Sequence, residues 1–417
     1  MTREPLLAPE PAEDEAASTE SAAEVVVRLG KALHVSGSPA HRIEEGMELA
    51  ARRLGLDGHF FSTPTALFAS FRHRSHRSTV LERVDPAEIH LRRLDVLDEL
   101  LEGIATGRLG VAEVSRRLDP LFEEPVPYRG LPTILAFGLV SAAAALFFRG
   151  GWPEIVTAGG VGLLIGGLSQ LAPRLPALNR LFEPVAAFVA AFVAYTAAGL
   201  WGWADPSVVV LSGLIVLIPG LTLTVAFTEL ATRHLVSGSA RLAGAVVLFF
   251  TLAFGVGLGS LLARMAAGVV PETVPDPLGG SWKWLAVAVA ATGFVVLFRA
   301  RARDAAWILL AGALAIQAVD LGSAALGPQL GAFVGALTVG VAGNLFARLL
   351  HRPAALLQVP GLILLVPGSL GFRSLTQLMS QDVLSGLETA FDTTLVGIAL
   401  ATGLLLANVV IPPRRVL

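Results

Sequence analysis

The chain has 417 residues, of which 54% are hydrophobic and 15% are charged. Soluble domains usually carry about 25% charged residues, so this composition excludes an ordinary soluble protein and favours a membrane protein. The net charge of −2 gives no basis for binding nucleic acid, and the lack of cysteine excludes disulfide bonds, thiolate metal sites and a cysteine nucleophile.

Charge is unevenly distributed, because residues 1–126 are dense in Arg, Glu and Asp while the remainder is mostly apolar. The first twenty residues are acidic and rich in Pro and Ala, which predicts a disordered tail over 1–20. No basic segment leads into an apolar one there, so we expect no cleavable signal peptide.

Residues 21–126 are predicted to form a small soluble α+β domain. Apolar residues at helical spacing from Ala22 to Leu33 predict a first helix. Ser38 and Pro39 mark the start of a second helix, with Ser38 as N-cap. Composition and periodicity then predict strands over 59–63, 67–71 and 77–84 and helices over 86–106 and 111–118.

Two features of this domain leave functional alternatives open. A basic cluster could bind anionic lipid headgroups or a nucleotide, although a solvated hairpin turn is the commoner explanation: Arg72, His73, Arg74, His76 and Arg77. Arg42, Glu44 and the turn 62–65 could serve an enzyme or a ligand sensor, although such turns are more often only turns. The histidines lack metal-ligand spacing, so we predict no metal site and no cofactor.

The apolar part contains ten segments of about the 20 residues that a helix needs to span a bilayer. They cover 131–148, 152–171, 181–200, 207–229, 239–262, 284–299, 304–321, 329–350, 355–379 and 388–411.

Loop charge supports the count of ten. With a cytoplasmic N-terminus, arginines gather on the predicted inner loops and tail, as the positive-inside rule expects: Arg174, Arg180, Arg233, Arg241, Arg299, Arg301, Arg303, Arg348, Arg352, Arg414 and Arg415. Both termini are therefore predicted to be cytoplasmic. The richness in Arg, Ala and Gly suggests a bacterial protein, hence a bacterial plasma membrane.

The apolar part also repeats itself. Residues 214–220 match residues 362–368, with Pro219-Gly220 aligned on Pro367-Gly368 at a spacing of 148 residues. The repeat pairs span four with span nine, so each unit has five helices, and an odd number inverts the second unit in the membrane. The predicted fold is an all-α polytopic membrane protein. Its ten transmembrane helices form a 5+5 inverted repeat (127–265 and 266–417) behind the soluble α+β domain.

A Pro-Gly pair inside a span predicts a broken helix. Proline removes a hydrogen-bond donor and clashes with the preceding turn, and glycine adds backbone freedom. The freed backbone groups are tolerated only against protein or a water-filled cavity, where helix ends can bind a charged amino or carboxylate group. The alternative for each Pro-Gly is a packing kink.

Several segments together resemble the threonine/serine exporter family. They are 29–30, 38–44, 51–55, 62–65, 217–220, 359–361, 365–369 and 411–415, so the resemblance covers nearly the whole chain. It implies a cytoplasmic N-terminal domain, ten spans, and export of threonine and serine driven by the proton motive force. Related two-subunit systems, similar to the two halves of this chain, are associated with dicarboxylate export. The resemblance supplies no catalytic motif.

Polar residues in the spans are the candidates for the solute site. Because ionisable groups in a bilayer are costly, they are functional candidates by default. The predicted solute-binding residues are Pro219, Gly220, Thr222, Thr224, Pro367, Gly368, Ser369, Arg373 and Asn344. The predicted proton-coupling residues are Asp392, Glu229 and Asp320. A carboxylate, Asp392 or Glu229, is expected to exchange the proton, because burial favours its neutral form.

Each polar candidate has a structural alternative. Glu229 could pair with Arg233 at the inner interface. Asp320 could end its helix, and Asp392 could face the outer interface. Asn344 could form a hydrogen bond between helices.

We predict that the protein is a secondary transporter in the lipid bilayer. It is expected to export small polar amino acids and to be driven by protons. A dicarboxylate exporter and a passive channel stay open as alternatives, as does a homo-oligomer. A membrane enzyme is disfavoured, because the sequence has no His-Glu-x-x-His motif, paired intramembrane aspartates or acidic metal-binding loop.

Overall fold

The computed structural model is mostly helical and describes residues 13–73, 76–85, 88–123, 127–268, 273–365 and 367–413. Its contacts divide the chain into two compact units. They are residues 1–88 with 93–124 and 415–417, and residues 89–92 with 125–414.

The first unit has the predicted order α-α-β-β-β-α-α. Its elements are α1 (Glu13–His34), α2 (Ala40–Arg53), β1 (Asp57–Thr63), β2 (Ala66–His73), β3 (His76–Arg83), α3 (Leu91–Ala105) and α4 (Val111–Glu123). The strands form an antiparallel sheet in the order β1-β2-β3, with Phe61 opposite Phe68 and Phe68 opposite Leu81.

The core of the first unit lies between its helices and one face of the sheet. Leu29 of α1 and Met47 of α2 are buried together with Phe60 and Phe71 of the sheet. Glycine at position 30 allows α1 and α2 to approach closely, and a Cβ atom there would force the Met47 side chain to move. Apolar residues at helical spacing therefore pack as the sequence predicts.

Two local predictions for this unit are wrong. Residues 13–20 belong to α1 rather than to a disordered tail, and residues 1–12 lie outside the described residues. Pro39, not Ser38, occupies the N-cap of α2, and no side chain caps that helix. Of the basic cluster, Arg74 also lies outside the described residues, and β2 and β3 pair up to residues 73 and 76 on either side of it.

The second unit consists of helices. They are α5 (Leu131–Phe147), α6 (Trp152–Leu171), α7 (Pro176–Arg180), α8 (Phe182–Trp201), α9 (Pro206–Gly213), α10 (Gly220–Ala231), α11 (Leu235–Ala267), α12 (Trp282–Leu297), α13 (Ala305–Leu326), α14 (Pro328–Leu350), α15 (Ala355–Ile363), α16 (Gly368–Met379) and α17 (Val383–Val410). Short 3₁₀ turns at Ala172–Arg174 and Ala302–Asp304 adjoin α6 and α13.

Seven helical segments in the described part of the chain are long and apolar enough to cross a membrane. They are Trp152–Arg174, Phe182–Trp201, Leu235–Ala267, Ala302–Leu326, Pro328–Leu350, Ala355–Met379 and Val383–Val410. α5, α10 and α12 are shorter apolar helices. The ten predicted segments thus all coincide with helices or helix pairs, but the first, fourth and sixth contain no single helix of the length of a full span.

Two of the ten predicted spans are helix pairs rather than single helices. The fourth is divided between α9 and α10, and the ninth between α15 and α16, at the two Pro-Gly pairs. The charged tail at Arg414 and Arg415 lies outside the described residues.

Candidate functional site

Both helix breaks have a proline at the N-cap of the second half-helix. Pro219 precedes α10 with φ −79° and ψ 46°, and Pro367 precedes α16 with φ −75° and ψ 10°. Neither N-cap contributes a side-chain hydrogen bond. Proline ends the preceding helix because it lacks an N–H group, and its fixed φ suits the start of the next one.

The two breaks meet in the interior of the second unit. A Cβ atom built on Gly368 would lie 2.8 Å from Gly220 Cα and 2.7 Å from Ile218 Cγ2. Both glycines and both N-cap prolines are buried. The structure therefore brings Pro219-Gly220 and Pro367-Gly368, which are 148 residues apart in the sequence, into direct contact.

This contact places the N-termini of two helices side by side. The first N–H groups of a helix have no partner within it and carry a partial positive charge. In α10 the N–H of Leu223 is bonded to Pro219 O, and in α16 the N–H of Gly371 is bonded to Pro367 O, so regular helical bonding starts only there. Of the preceding donors, Gly220 N already donates to Ile218 O at 2.8 Å. The others can bind an anionic group such as a carboxylate.

Predicted hydroxyl residues lie on the first turns of these two helices. Thr222 and Ser369 are half-buried, and Thr224 is fully buried. The Thr224 hydroxyl lies 3.4 Å from Gly220 O, the carbonyl at the break. All three residues are thus placed within about one helical turn of the glycine contact.

Arg373 lies in α16, little more than one turn beyond the break. It is exposed, and its guanidinium lies over the ring of Phe148, 5.3 Å from the centroid. Phe148 follows α5 and belongs to the first half of the unit. The structure therefore connects this predicted site residue to the opposite half of the molecule through a cation–π contact.

Glu229 is fully buried at the far end of α10. Its two carboxylate oxygens lie 3.2 and 3.1 Å from Nε of Arg241 in α11. In the described part of the chain, the structure pairs it with Arg241 rather than with the exposed Arg233, so that alternative is wrong. Arg233 has a left-handed φ of 67°, which places it beyond the helix and breaks the i,i+4 geometry.

Gln377 occupies the position of Glu229 in the second half. It accepts a hydrogen bond of 2.9 Å from Thr389, which in turn occupies the position of Arg241. The two halves therefore make the same helix-to-helix contact, with a charged pair in one and a neutral pair in the other.

The remaining candidates lie apart from the breaks, each with its own partners. Asp392 accepts a 3.1 Å hydrogen bond from Gln329 at the start of α14. Asp320 is exposed and pairs with Lys283 at 2.6 Å. α13 continues past Asp320 to Leu326, so the alternative that this residue ends its helix is wrong.

Asn344 is fully buried between three helices. Its amide nitrogen donates to Asn408 Oδ1 at 2.9 Å and to Ile411 O at 2.8 Å, and its oxygen accepts from Gln358 at 3.1 Å. Asn344 thus forms hydrogen bonds between helices, which is the alternative to a role in solute binding. These bonds link α14, α15 and α17 and involve neither break.

Sequence reasoning missed two buried carboxylates. Glu154, at the start of α6, accepts from the N–H groups of Gly151 at 2.7 Å and Asp205 at 2.8 Å. Asp304, just before α13, binds Arg352 through two hydrogen bonds of 2.6 and 3.1 Å.

A local repeat would have identified these two carboxylates. Phe148-Arg149 precedes Glu154 by the same number of residues as Phe298-Arg299 precedes Asp304. The backbone repeats as well, because Arg149 and Arg299 have left-handed φ values of 62° and 52°.

Comparisons with known proteins agree with this architecture. Residues 24–263 match the family described as "Putative threonine/serine exporter", and residues 283–410 match the family described as "Threonine/Serine exporter, ThrE". No solved structure matches the chain.

Curated relatives of the chain are fungal membrane proteins. Pheromone-regulated membrane protein 10 of Candida albicans (strain WO-1) is 29% identical over 381 residues, which cover 88% of this chain and 34% of that protein. The proteins of the same name in Yarrowia lipolytica and Eremothecium gossypii are each 26% identical. The matches cover 82% and 84% of this chain and 29% and 48% of the relatives. The chain thus spans less than half of the length of these relatives.

The family matches extend over most of the chain and include both helix breaks. They agree with a multi-pass membrane protein. The chain belongs to the threonine/serine exporter family.

Proposed function

We propose that the protein is a secondary transporter that exports threonine and serine across the plasma membrane in exchange for protons. The observation that carries this proposal is the buried contact between Gly220 and Gly368 at two helix breaks. Broken helices whose ends meet inside a bundle form the solute sites of many secondary transporters.

The carboxylate of the amino acid is proposed to bind between the N-termini of α10 and α16. Two sets of N–H donors converge there, and their partial charges complement a negative group. Thr222 and Ser369, on the first turns, are proposed to bind the hydroxyl of threonine or serine. In a buried site these contacts favour a solute with a hydroxyl group, because a solute that lacked the hydroxyl would leave polar groups of the protein unpaired.

The second unit is proposed to contain ten spans in two inverted repeats of five. In support, α10 packs against α17 as α16 packs against α11, and α5 packs against α12. Left-handed residues end helices at matching positions, namely Arg149 with Arg299 and Arg233 with Gln381. The excess of arginine on one side supports cytoplasmic termini.

Glu229 is proposed to carry the coupling proton. It is the most deeply buried of the three candidate carboxylates, and its ion pair with Arg241 can open when the carboxylate takes up a proton. Asp392 is only half-buried beside Gln329, and Asp320 is exposed beside Lys283. Protonation of a buried carboxylate in a membrane is a common device of coupled transport.

The test is transport by the purified protein in proteoliposomes. An acidic lumen should concentrate labelled L-threonine from the medium above its external level, because protons leave as the solute enters. Collapse of the pH gradient by an ionophore should release the accumulated solute. Equilibration without accumulation would indicate a passive channel instead, and accumulation of succinate but not threonine would indicate a dicarboxylate carrier.

A further inference from the structure

One face of the three-stranded sheet in the first unit carries an exposed apolar row. Phe61, Phe68 and Leu81 lie opposite one another on adjacent strands, and they are 44%, 38% and 62% exposed. Alternate residues such as Phe60 and Leu67 lie on the other face and are buried in the core of the unit. A sheet with one solvated face usually carries polar side chains there, so three adjacent apolar ones indicate a binding surface.

Arginines lie on the same face, on both sides of the apolar row. Arg72 and Arg77 are paired in register between β2 and β3, and Arg83 lies two residues beyond Leu81. Side chains alternate along a strand, so residues separated by an even number share one face. All three arginines are exposed. Asp57 lies 3.5 Å from Arg72 and offsets one of these charges, which leaves the face with a surplus of positive charge.

Charge decides between the surfaces that could cover this face. A second copy bound through the same face would place arginines of both copies against each other, because a two-fold interface pairs a patch with itself. Like charges across an interface are unfavourable. The cytoplasmic leaflet of a membrane is negatively charged and attracts arginine, and aromatic and aliphatic side chains enter the zone between headgroups and acyl chains. The face therefore complements an anionic bilayer.

A short covalent segment joins the first unit to the unit of apolar helices. α4 ends at Glu123 and α5 begins at Leu131, so residues 124–130 connect the two units at this point. A segment of this length extends over at most about 25 Å. Docking of a tethered domain is an intramolecular step, so it can be favourable with contacts that would be weak between separate molecules.

We propose that the exposed sheet face docks on the anionic surface of the bilayer that holds the second unit. The arginines bind lipid phosphates through charge-assisted hydrogen bonds, and the apolar row enters the headgroup region. Docking also gives a role to two members of the basic cluster, Arg72 and Arg77. This role does not depend on which solute the protein transports.

The test uses the full-length protein at one copy per lipid nanodisc, which excludes a second copy as the binding partner. The chain has no cysteine, so Thr79→Cys places a single polarity-sensitive fluorophore on the face, at an exposed residue between Leu81 and Arg77. Glu24→Cys, at an exposed position of α1, is the control site. Discs contain phosphatidylcholine alone or an equal mixture with phosphatidylglycerol, and a nitroxide on the lipid headgroup quenches a fluorophore that touches the bilayer.

Quenching at Thr79 should depend on the charge of the lipid. We expect it to be about fivefold stronger or more in the anionic discs than in the neutral ones, the effect of one arginine near a charged surface. High salt should remove the difference, because it screens exposed charges. The Glu24 fluorophore should show no difference. Equal quenching of the Thr79 fluorophore in the two kinds of disc overturns the proposal, and so does an equal difference at both sites.

Two double variants separate the contributions of charge and of the apolar row. Arg77→Gln with Arg83→Gln removes charge, and Phe61→Thr with Leu81→Thr removes apolar side chains but keeps strand propensity. Each should abolish the difference between the discs.

The matched control is Arg52→Gln with Arg53→Gln, which removes the same charge at exposed positions of α2 and should keep the difference. A difference that persists in either of the sheet variants overturns the proposal. A change of fluorophore polarity without quenching by lipid would indicate a protein surface instead and overturns it as well.

Discussion

Glu229 and Arg241 form a buried ion pair between α10 and α11, and the equivalent residues of the second half, Gln377 and Thr389, form a neutral hydrogen bond. The same contact is therefore made twice, once with charge and once without. If the halves are inverted repeats, these contacts lie near opposite faces of the membrane. We therefore expect proton exchange only at the face that carries Glu229.

Replacement of Glu229 by Gln should separate transport from proton coupling. Glutamine has nearly the same shape as glutamate, and Gln377 occupies the matching position of the other half, but an amide cannot exchange a proton. We expect threonine accumulation under an acidic lumen to fall by about tenfold or more, the effect of losing a required protonation step. Exchange of internal for external threonine should persist. Glu388→Gln, at an exposed position of α17, is the control, and full accumulation by Glu229→Gln would assign coupling to another residue.

Removal of Arg241 should destabilise the protein more than removal of both partners. Arg241→Thr removes the cation that faces the buried carboxylate of Glu229, and breaking such a buried pair costs about 3 kcal/mol. The double variant Glu229→Gln with Arg241→Thr recreates the pair found in the other half, so it should recover most of the thermal stability. Thermal melting in detergent measures both variants. Equal losses in the single and double variants would contradict this account.

Replacement of Gly368 by Ala should impair the solute site directly. The added Cβ would lie 2.8 Å from Gly220 Cα, and backbone cannot move aside as a flexible side chain can. We expect the two helix N-termini to separate and threonine flux to fall by about tenfold or more, as for other small displacements in a preorganised site. Gly244→Ala in α11 is the matched control, since a Cβ there has no neighbour within 4 Å. Unchanged flux in Gly368→Ala would show that transport does not depend on the contact between the two helix breaks.

The features predicted correctly from the sequence are those that depend on a residue and its neighbours along the chain. Apolar runs predicted the helices, and the Pro-Gly pairs predicted where two of them break, because proline and glycine act on their own backbone. Sequence reasoning failed for the partner of Glu229. The spacing of four residues predicts Arg233, but α10 ends at Ala231 and the partner comes from α11.

The lengths of two helices and the partners of two buried carboxylates could not be predicted from the sequence either. α5 and α12 are shorter than a full span, although their sequences are as apolar as the others. Glu154 and Asp304 bind partners 51 and 48 residues away, Asp205 N and Arg352, which the sequence does not identify. The local repeat around them marks only the two positions themselves. The meeting of Gly220 with Gly368 could be proposed from the repeat, but the distance between them depends on how α10 packs against α16.

Asn344 offers a test between a role in binding and a role in structure. Its amide joins α14 to Asn408 and Ile411, and its oxygen accepts from Gln358 of α15. Asn344→Ala leaves these partners unsatisfied in a buried place, so we expect a loss of about 1–3 kcal/mol in stability. The KM for threonine should stay unchanged, because these hydrogen bonds involve neither helix break. Asn179→Ala, in the exposed helix α7, is the control for both measurements. A raised KM with unchanged thermal stability would instead place Asn344 in the solute site.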